Sequence, residues 1–327
     1  MINVIRVANI EKDLEWKEFL RNQYNLFFDF NFNSYNDLFN KGIKWHHLKF
    51  RESGSNKILA VMIGCEKYSE GINSFISCDG VSSGGFLWKK NTDLLNYFEI
   101  IKSFKLYLRD NNFSHCLLKN PPFLYNFDRN DETEYALLKS GFKANSISIT
   151  NIIDLKEFEF KKISGPKKRS INKSDKNINV EIINDKLDEK KFKEYYSILF
   201  ENRKLKNVTP THTCDELFYL INKLNKDIIF FVAYSDSYPA AICVLFRINK
   251  EIILNFYLAG DEKFKMKRVS EILLFKSIEW SKENGYKYYD IGTSDANGVL
   301  IEGLFGFKKK FLADGFLRKT YELNLLI

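Results

Sequence analysis

The same order of predicted elements occurs twice along the chain. In each half, strands rich in β-branched and aromatic residues precede a long helix, and a further strand and a shorter helix follow it. Each shorter helix ends near a glycine-phenylalanine pair, Gly141-Phe142 in the first half and Gly306-Phe307 in the second. A duplicated α/β unit is the simplest explanation of this order. Two ordinary α/β domains that share it by chance are the alternative.

Turn-forming residues set the bounds of the predicted elements. The predicted elements of the first half are strands at 57–64, 73–78 and 113–119 and helices at 91–110 and 132–139. Those of the second half are strands at 228–234, 240–248, 251–259 and 286–291 and a helix at 269–283. Asn284-Gly285 fits the end of that helix, because glycine adopts positive φ without a Cβ penalty.

Length and composition fit two globular domains. The chain has 327 residues, 45% of them hydrophobic and 28% charged, and we predict an N-terminal domain at 1–160 and a C-terminal domain at 161–327. No apolar run approaches the ~20 residues of a membrane helix and no signal peptide is recognisable, so we predict a cytoplasmic protein. The five cysteines and four histidines lack metal-ligand spacing, so we predict neither disulfides nor a metal site.

Positive charge is concentrated near the middle of the chain. Residues 161–176 contain seven basic residues and one acidic residue, in a chain whose formal net charge is +8. Gly165-Pro166 punctuates this segment, which indicates a linker that leads into a short polar helix. The segment is either a solvated connector or a patch that attracts a phosphorylated ligand or nucleic acid. It lacks the interleaved aromatic residues of a single-strand-binding surface.

Three side chains of the second half are candidates for chemistry. Asp290 ends an apolar strand, a common position for functional residues in open α/β sheets, and it either acts as a base, orients one, or caps the next turn. Tyr257 either donates its hydroxyl into a cleft or is an ordinary half-buried strand tyrosine. His212 precedes a predicted helix and is a candidate general base, because histidine titrates near neutrality.

A loop of the first half, Ser82-Ser83-Gly84-Gly85, follows a predicted strand and precedes a helix. Loops of this composition can present main-chain N–H groups to an anion, and Ser83 and Gly84 are the candidate contacts. The alternative is a simple turn. No lysine follows the loop, so it is not a P-loop.

Four stretches of the second half resemble one known family. They are Lys167-Lys168-Arg169-Ser170-Ile171-Asn172-Lys173, residues 195–203, Asp290-Ile291-Gly292-Thr293, and Gly303-Leu304 with Phe307-Lys308 and Phe311. Each half resembles a GNAT acyltransferase domain, and the tandem resembles the Fem-type (FemAB-like) aminoacyltransferases and the acetyltransferases related to them. The resemblance implies an α/β (α+β) fold of two tandem GNAT-like domains, each a mixed, mostly antiparallel sheet flanked by helices.

The resemblance also implies roles for individual residues. It puts Phe307 and Lys308 at the active centre, with the Lys308 ammonium near the tetrahedral intermediate and the main chain of Phe307 beside it. Gly292 and Thr293 form a strand end that contacts substrate, and Arg203 binds the phosphate of a nucleotide-linked acceptor. By the residues alone, Lys308 belongs to a lysine run of a kind that is usually solvated, and Arg203 is a helix-end cation.

The chain departs from the family pattern at three places. Leu312 replaces a final glycine, and Glu302 replaces an asparagine. The glycine loop by which GNAT domains hold the pyrophosphate of coenzyme A is absent, and the stretch 261–270 offers Lys263, Lys265, Lys267 and Arg268 instead. Fem-type domains also lack that loop. The acyl donor therefore stays open between acetyl-CoA or another acyl-CoA and an aminoacyl-tRNA.

These observations lead to one predicted function and two alternatives. We predict a transferase that moves an acyl group, in the first instance acetyl from acetyl-CoA, to an amino group of a sugar or sugar-nucleotide acceptor in bacterial cell-surface polysaccharide biosynthesis. The first alternative is aminoacyl-tRNA-dependent transfer to a peptidoglycan precursor, a peptide acceptor. The second is a non-catalytic GNAT-like binding module, which the departures at Glu302 and Leu312 favour. No tightly bound cofactor is predicted, and the oligomeric state is left open.

Overall fold

The chain divides into two units, and the first of them is built from two separate stretches. A computed structural model describes residues 1–40, 42–55, 57–77, 79–175, 178–183 and 187–326. The first unit contains Met1–Ser148 and Leu317–Ile327, and the second contains Ile149–Phe316. The domain boundary predicted after residue 160 falls inside the second unit. The end of the chain, which was predicted to belong to the C-terminal domain, lies in the first unit.

Among its described residues, the first unit contains a sheet and four α-helices, and the first two of these helices were not predicted from the sequence. Its helices are Leu14–Asn22 (α1), Phe30–Phe39 (α2), Leu94–Asp110 (α3) and Glu132–Lys139 (α4). Its strands are Ile2–Val7 (β1), Trp45–Glu52 (β2), Ile58–Ser69 (β3), Ile72–Ser77 (β4), Phe86–Trp88 (β5), His115–Asn120 (β6) and the beginning of Lys143–Asp154 (β7).

The second unit contains the end of β7 and the remaining elements. Its helices are Gly165–Asp175 (α5), Glu189–Lys204 (α6), Cys214–Lys223 (α7), Val269–Glu283 (α8) and Glu302–Lys309 (α9). Its strands are Ile178–Ile183 (β8), Ile228–Ser235 (β9), Tyr238–Arg247 (β10), Ile252–Gly260 (β11), Tyr288–Thr293 (β12), Asp295–Ala296 (β13), Val299–Leu300 (β14) and the beginning of Asp314–Asn324 (β15), which ends in the first unit.

Among the described strands of each unit, one parallel pair interrupts an otherwise antiparallel sheet. The strand order in the first unit is β1-β2-β3-β4-β6-β15, with β5 beside β3, and β4 and β6 are parallel. The order in the second unit is β7-β12-β11-β10-β9-β8, and β11 and β12 are parallel. A single long helix, α3 or α8, joins each parallel pair, because parallel neighbours require a crossover connection. This shared topology agrees with the predicted duplication.

The two crossover helices follow the sequence closely. α8 spans residues 269–283, which confirms the predicted bounds of this helix. Gly285 after it has a φ of +81°, which confirms the positive φ predicted for the glycine at its end. α3 begins at Leu94 rather than at residue 91, because the Asp93 side chain accepts a hydrogen bond from the Asn96 N–H and caps the helix there. The predicted strand at 73–78 is described as far as Ser77, and Cys78 lies outside the described residues.

Each unit has its own hydrophobic core. α3 buries one face at helical spacing, with Tyr97, Ile101 and Phe104 packed against the first sheet. The core of the second unit joins α8 to β9, β10 and β12 and includes Tyr289 and Phe311. In the part of the chain that the structure describes, no helix combines the length and the apolar character that crossing a bilayer demands.

Candidate active site in the second unit

The two parallel strands of the second unit separate part of the way along their length. Their register ends at Leu254 and Asp290, although β11 continues to Gly260 and β12 to Thr293. Beyond that point the facing main-chain N–H and C=O groups have no partner in the other strand, and both strands are fully described. Main-chain polar groups require hydrogen-bond partners, so this gap can take up water or a ligand.

The carboxylate of Asp290 is fully buried and holds the end of β12. It accepts hydrogen bonds from the Thr150 hydroxyl at 2.6 Å and from the Gly292 main-chain N–H at 2.7 Å. The second bond closes a tight turn in which Gly292 has a φ of +88°, a conformation that glycine adopts readily. Asp290 thereby fixes the direction of the Gly292 carbonyl. Of the roles left open for Asp290, the geometry matches the cap of a turn.

Lys308 lies on α9 with only 4% of its surface exposed. Its Nζ donates hydrogen bonds to the carbonyl oxygens of Gly292 at 2.7 Å and Thr293 at 2.6 Å. The alternative that Lys308 is a solvated lysine is therefore wrong. Asp290, Gly292 and Lys308 form one hydrogen-bonded chain that holds an ammonium group at the end of β12. A positive charge fixed in this way needs no reorganisation when negative charge develops beside it.

A buried ion pair connects α5 and α8 to the helix that carries Lys308. The Lys167 ammonium lies 4.7 Å from the ring centroid of Phe307 and 4.6 Å from that of Phe311. It also forms an ion pair with Glu271 at 2.8 Å, and burial lowers the pKa of Lys167. Phe307 is thus held in place through its ring, and the main-chain contact predicted for it stays a prediction.

Two cations lie together where α6 ends. The Arg203 guanidinium donates to the Asn202 side-chain oxygen at 3.1 Å, and Lys206 Nζ donates to the same oxygen at 3.0 Å. Burial is the main cause that lowers the pKa of both Arg203 and Lys206. Neither has a carboxylate partner in the described part of the chain. Arg203 is partly buried, and Lys206 is exposed. Two cations that share one neutral oxygen and lack a carboxylate partner form a site suited to an anion.

Tyr257 connects this pair of cations to β11. The Arg203 guanidinium lies 5.9 Å from the Tyr257 ring centroid, within cation–π range. The Tyr257 hydroxyl accepts a hydrogen bond from the His212 main-chain N–H at 3.0 Å and lies 3.0 Å from His212 Nδ1. Burial raises the pKa of Tyr257 to about 12, so its hydroxyl is protonated at neutral pH.

His212 is packed among aromatic rings rather than exposed in a cleft. Only 1% of its surface is exposed, and its ring lies 5.3 Å from that of Phe256 and 6.2 Å from that of Phe246. Burial lowers the pKa of His212 to about 4. A histidine with so low a pKa is a weak proton acceptor at neutral pH, which argues against the general base predicted at this position.

Asn255 has a buried acceptor beside the gap between β11 and β12. Its Nδ2 donates to the Tyr289 hydroxyl at 3.0 Å, which lies 2.7 Å from Ser277 Oγ. Ser277 in turn donates its proton to the Leu274 carbonyl, so Tyr289 donates to Ser277 and accepts from Asn255. Because Asn255 is the donor to Tyr289, the orientation of the Asn255 side-chain amide is fixed. The Asn255 Oδ1 is buried without a hydrogen-bond partner among the described residues.

The basic residues predicted to hold phosphate near α8 have other partners. Lys267 Nζ donates to Ser235 Oγ at 2.9 Å and also contacts Asp236, and Arg268 donates to Ser170 Oγ at 2.5 Å. Arg268 has a φ of +54° immediately before α8. Their phosphate-binding role stays a prediction. The Glu271 carboxylate occupies the first turn of α8, where a helix would otherwise attract an anion.

The predicted anion loop of the first unit is engaged within that unit. Ser83 is buried, and the Gly84 N–H donates to the Lys119 carbonyl at 2.8 Å. Gly85 has a φ of +79°, and a Cβ there would lie 2.5 Å from Asn120 Oδ1. The loop is therefore a tight turn against β6, and ligand contact by Ser83 and Gly84 stays a prediction.

The basic segment at 161–176 is partly neutralised by nearby acceptors. Lys161 and Lys162 form ion pairs with Glu159, and Lys168 Nζ donates to the Lys161 carbonyl at 3.0 Å. The side chains of residues 173–177 lie outside the described ones. The segment therefore presents less free charge than its sequence suggests, and nucleic-acid binding by it stays a prediction.

Cysteines and acidic residues form no metal site in the described ranges. No group of three or more His, Cys, Asp and Glu side chains is arranged to hold a metal ion there. The described free cysteines are Cys65, Cys116, Cys214 and Cys243.

Sequence reasoning missed several residues of this site. Lys206 could have been predicted from the sequence, because it lies three residues after Arg203 at the end of a helix. The sequence does not reveal the contacts of Thr150 and Asn255 or the ring contacts of Lys167, because the partners of these residues are distant in sequence.

Comparison with known proteins identifies the fold of the whole chain. No protein-family model and no curated protein matches it. Solved structures do match, and they confirm the predicted fold of two tandem GNAT-like units. FemX matches with a TM-score of 0.70 and 12% identity, over 99% of this chain and 97% of that one. L-PGS from Bacillus licheniformis matches with a TM-score of 0.60 and 14% identity, over 96% and 93% of the two chains. A tandem GNAT protein from the clavulanic acid biosynthesis pathway matches with a TM-score of 0.58 and 7% identity, over 99% of both chains. At these identities the likeness concerns the fold alone.

Proposed function

We propose that this protein transfers an acyl group to an amine, with the second unit as the catalytic one. The observation that carries the proposal is the buried Lys308 ammonium, held by two carbonyl groups at the end of β12. In the reaction, the amine nitrogen attacks the acyl carbonyl and a tetrahedral oxyanion forms. The bond to the donor sulfur or oxygen then breaks, and that leaving atom takes up the proton that the amine loses. An ammonium beside the oxyanion stabilises it by about 3 kcal/mol on the scale of single oxyanion donors.

Asp290 and His212 take supporting roles in this proposal. Asp290 fixes the Gly292 carbonyl that Lys308 contacts, so it positions the ammonium. His212 stays neutral and orients the Tyr257 hydroxyl, which supports a positioning role instead of proton abstraction. Gly292 and Thr293 contribute through their carbonyl groups.

The acceptor that fits best is an amine on a phosphorylated carrier. Arg203 and Lys206 provide two cations with no carboxylate partner among the described residues, and phosphate oxygens would satisfy both. A sugar nucleotide that carries an amino sugar has both the phosphates and the amine. We therefore propose amino-sugar acylation in cell-surface polysaccharide biosynthesis, with acetyl-CoA or another acyl-CoA as the donor.

A second candidate is transfer from an aminoacyl-tRNA to the peptide of a peptidoglycan precursor. One specific observation favours it: Glu271 occupies the first turn of α8 and is ion-paired with Lys167. A carboxylate there repels the pyrophosphate of coenzyme A, whereas an aminoacyl ester carries no pyrophosphate at the corresponding distance from the carbonyl. The third possibility, a binding module, requires the same anion site without turnover.

The test is a turnover assay with matched lysine variants. Release of the CoA thiol from acetyl-CoA is measured with a panel of amino-sugar nucleotides, and transfer from radiolabelled aminoacyl-tRNA is measured with a peptidoglycan precursor. We expect Lys308→Ala to lower turnover by at least about tenfold, because the oxyanion loses its ammonium. Lys309→Ala is the control, since Lys309 is exposed and paired with Asp314.

Each outcome selects between the candidates. CoA release supports acyl-CoA as the donor, and salt-sensitive transfer from tRNA alone supports the second candidate. Binding of a sugar nucleotide without turnover under either donor supports a binding module. Equal turnover in Lys308→Ala and Lys309→Ala removes Lys308 from the mechanism.

A further inference from the structure

A cavity of about 520 Å³ lies in the first unit and shares no residue with the site described above. It is bordered by α1, by the first residues of β3, and by Lys89, which follows β5. Its volume is within the range of small-molecule sites in proteins. No role proposed so far involves any residue that lines it.

One side of this cavity is apolar. Phe19 and Ile58 line it, and each has only 8% of its surface exposed, so both are anchored in the fold. Leu14, in the first turn of α1, also lines it and is 79% exposed. A largely exposed leucine beside two anchored apolar side chains is an incomplete apolar surface, which an alkyl chain would cover.

The acidic residues that line the cavity already have cationic partners. Glu15 forms ion pairs with Lys49 at 2.5 Å and with Arg51, and the hydrogen bond from Lys49 holds its pKa below the usual range. Glu18 forms an ion pair with Arg21 at 2.5 Å. Neither carboxylate is therefore available to neutralise the other cations of the cavity.

The uncommitted charges of the cavity are all positive. Lys17, Lys57 and Lys89 line it, and none has a carboxylate within ion-pair distance among the residues that the structure describes. The Lys17 ammonium lies over the ring of Phe30, 5.1 Å from its centroid, which leaves its charge uncompensated. Three lysines that line a partly apolar cavity and have no carboxylate partner among the described residues favour a ligand with an anionic end.

Gln23 also lines the cavity. Its Oε1 accepts a hydrogen bond from the Lys90 main-chain N–H at 2.9 Å, which fixes the amide orientation. Its Nε2 is buried and has no hydrogen-bond partner in the described part of the chain.

We propose that this cavity of the first unit binds a single-chain anionic amphiphile, an alkyl chain that ends in a phosphate or a carboxylate. The chain covers Leu14, Phe19 and Ile58, and the anionic end lies among Lys17, Lys57 and Lys89. The site is independent of the proposed transfer reaction, because every residue that forms it lies in the first unit.

The experiment is calorimetric titration of the full chain with dodecyl phosphate and with dodecanoate, below their micelle concentrations. We expect one molecule to bind per chain. The variant Lys57→Glu/Lys89→Glu should weaken binding at least about tenfold, because two attractive charges become repulsive. The control is Lys102→Glu/Lys143→Glu, which makes the same charge change at two exposed lysines of the first unit outside the cavity and should bind as the unchanged protein does.

Further ligands and one more variant make the proposal falsifiable in each part. Leu14→Ser, at an exposed position, should weaken the binding of dodecyl phosphate without affecting folding. Equal binding by dodecyl maltoside would show that the anionic end has no role, and equal binding by inorganic phosphate would show that the alkyl chain has none. Binding to phosphatidylglycerol vesicles without binding of the monomeric amphiphiles would indicate a membrane surface instead. Each of these three results overturns the proposal.

Discussion

Gly292 and Leu312 both have positive φ, +88° and +65°, within the second unit. A side chain in this region costs about 1–2 kcal/mol, which glycine avoids. At Gly292 the conformation is required, since the residue bonds Asp290 through its N–H and Lys308 through its carbonyl. Leu312 has the same kind of conformation with a leucine side chain, at the position where the pattern of the resembled family has glycine.

Gly292→Ala tests whether this backbone conformation matters. We expect a loss of about 1–2 kcal/mol in the free energy of unfolding. The positive φ alone causes it, since an added Cβ would lie 3.8 Å from the main-chain oxygen of Asn255, which is ordinary van der Waals contact. Gly303→Ala is the control, because Gly303 lies in α9 with no atom within 4 Å of an added Cβ. That variant should be neutral or up to about 1 kcal/mol more stable. Urea unfolding with an unchanged slope measures both. Equal changes in stability at Gly292 and Gly303 would show that the positive φ of Gly292 is not the cause of the loss.

The buried His212 makes stability depend on pH. Its pKa is about 4 in the folded chain and about 6.5 in the unfolded chain, so the unfolded state binds more protons between these values. Its contribution is fully present above pH 6.5 and is lost as the pH falls toward 4, by up to about 3 kcal/mol. We expect His212→Gln to flatten the stability curve over that window when unfolding is measured from pH 7.5 to 4. An unchanged curve would show that His212 does not titrate as its burial requires.

At the scale of elements, α5 and α8 are held together by an ion pair that neither helix reveals by its own sequence. Lys167 and Glu271 are almost fully buried, and the Lys167 ammonium also lies between two aromatic rings of α9 and the turn after it. The segment containing Lys167 was predicted to be a linker and a short polar helix, and the helix is present. Lys167, the most buried of the described basic side chains of α5, stabilises the packing of the two helices. Removing either partner of this buried pair would leave an uncompensated charge.

A double-mutant cycle measures this ion pair. Glu271→Leu should lower the free energy of unfolding by about 3 kcal/mol, because it leaves the Lys167 ammonium buried without its carboxylate, and Lys167→Met should likewise leave the Glu271 carboxylate without its ammonium. The double variant Lys167→Met/Glu271→Leu should recover most of that loss, because neither charge remains. Urea unfolding of the single and double variants gives the coupling energy. Additive losses would show that the two side chains do not stabilise each other.

At the scale of the whole molecule, the last strand completes the unit that begins the chain. β15 pairs with β6 from Lys319 opposite Asn120 to Asn324 opposite His115. Tyr321 belongs to the core of the first unit and has 1% of its surface exposed. The predicted N-terminal domain at 1–160 lacks this strand. Its sheet would end at β6 with an open edge, which favours aggregation.

Separate expression tests this dependence. Residues 1–160 alone should fail to protect from hydrogen exchange those amides of β6 that face β15, because that ladder partner is missing while β4 still pairs with the other edge. Adding residues 317–327 through a flexible linker should restore protection. Removal of residues 326 and 327 from the full chain is the control, since Leu326 is 74% exposed. Full protection in residues 1–160 alone would show that the first unit does not need β15.

What the sequence determined is local. The residues of α8 and α4 occur where their periodicity predicted, because helix spacing and end signals involve residues only a few positions apart. The tertiary structure alone decided that β15 joins the first unit, that Lys167 lies between two rings, and that Lys308 is buried against the end of β12. These features depend on contacts between residues far apart in the chain, and packing of a folded core selects them.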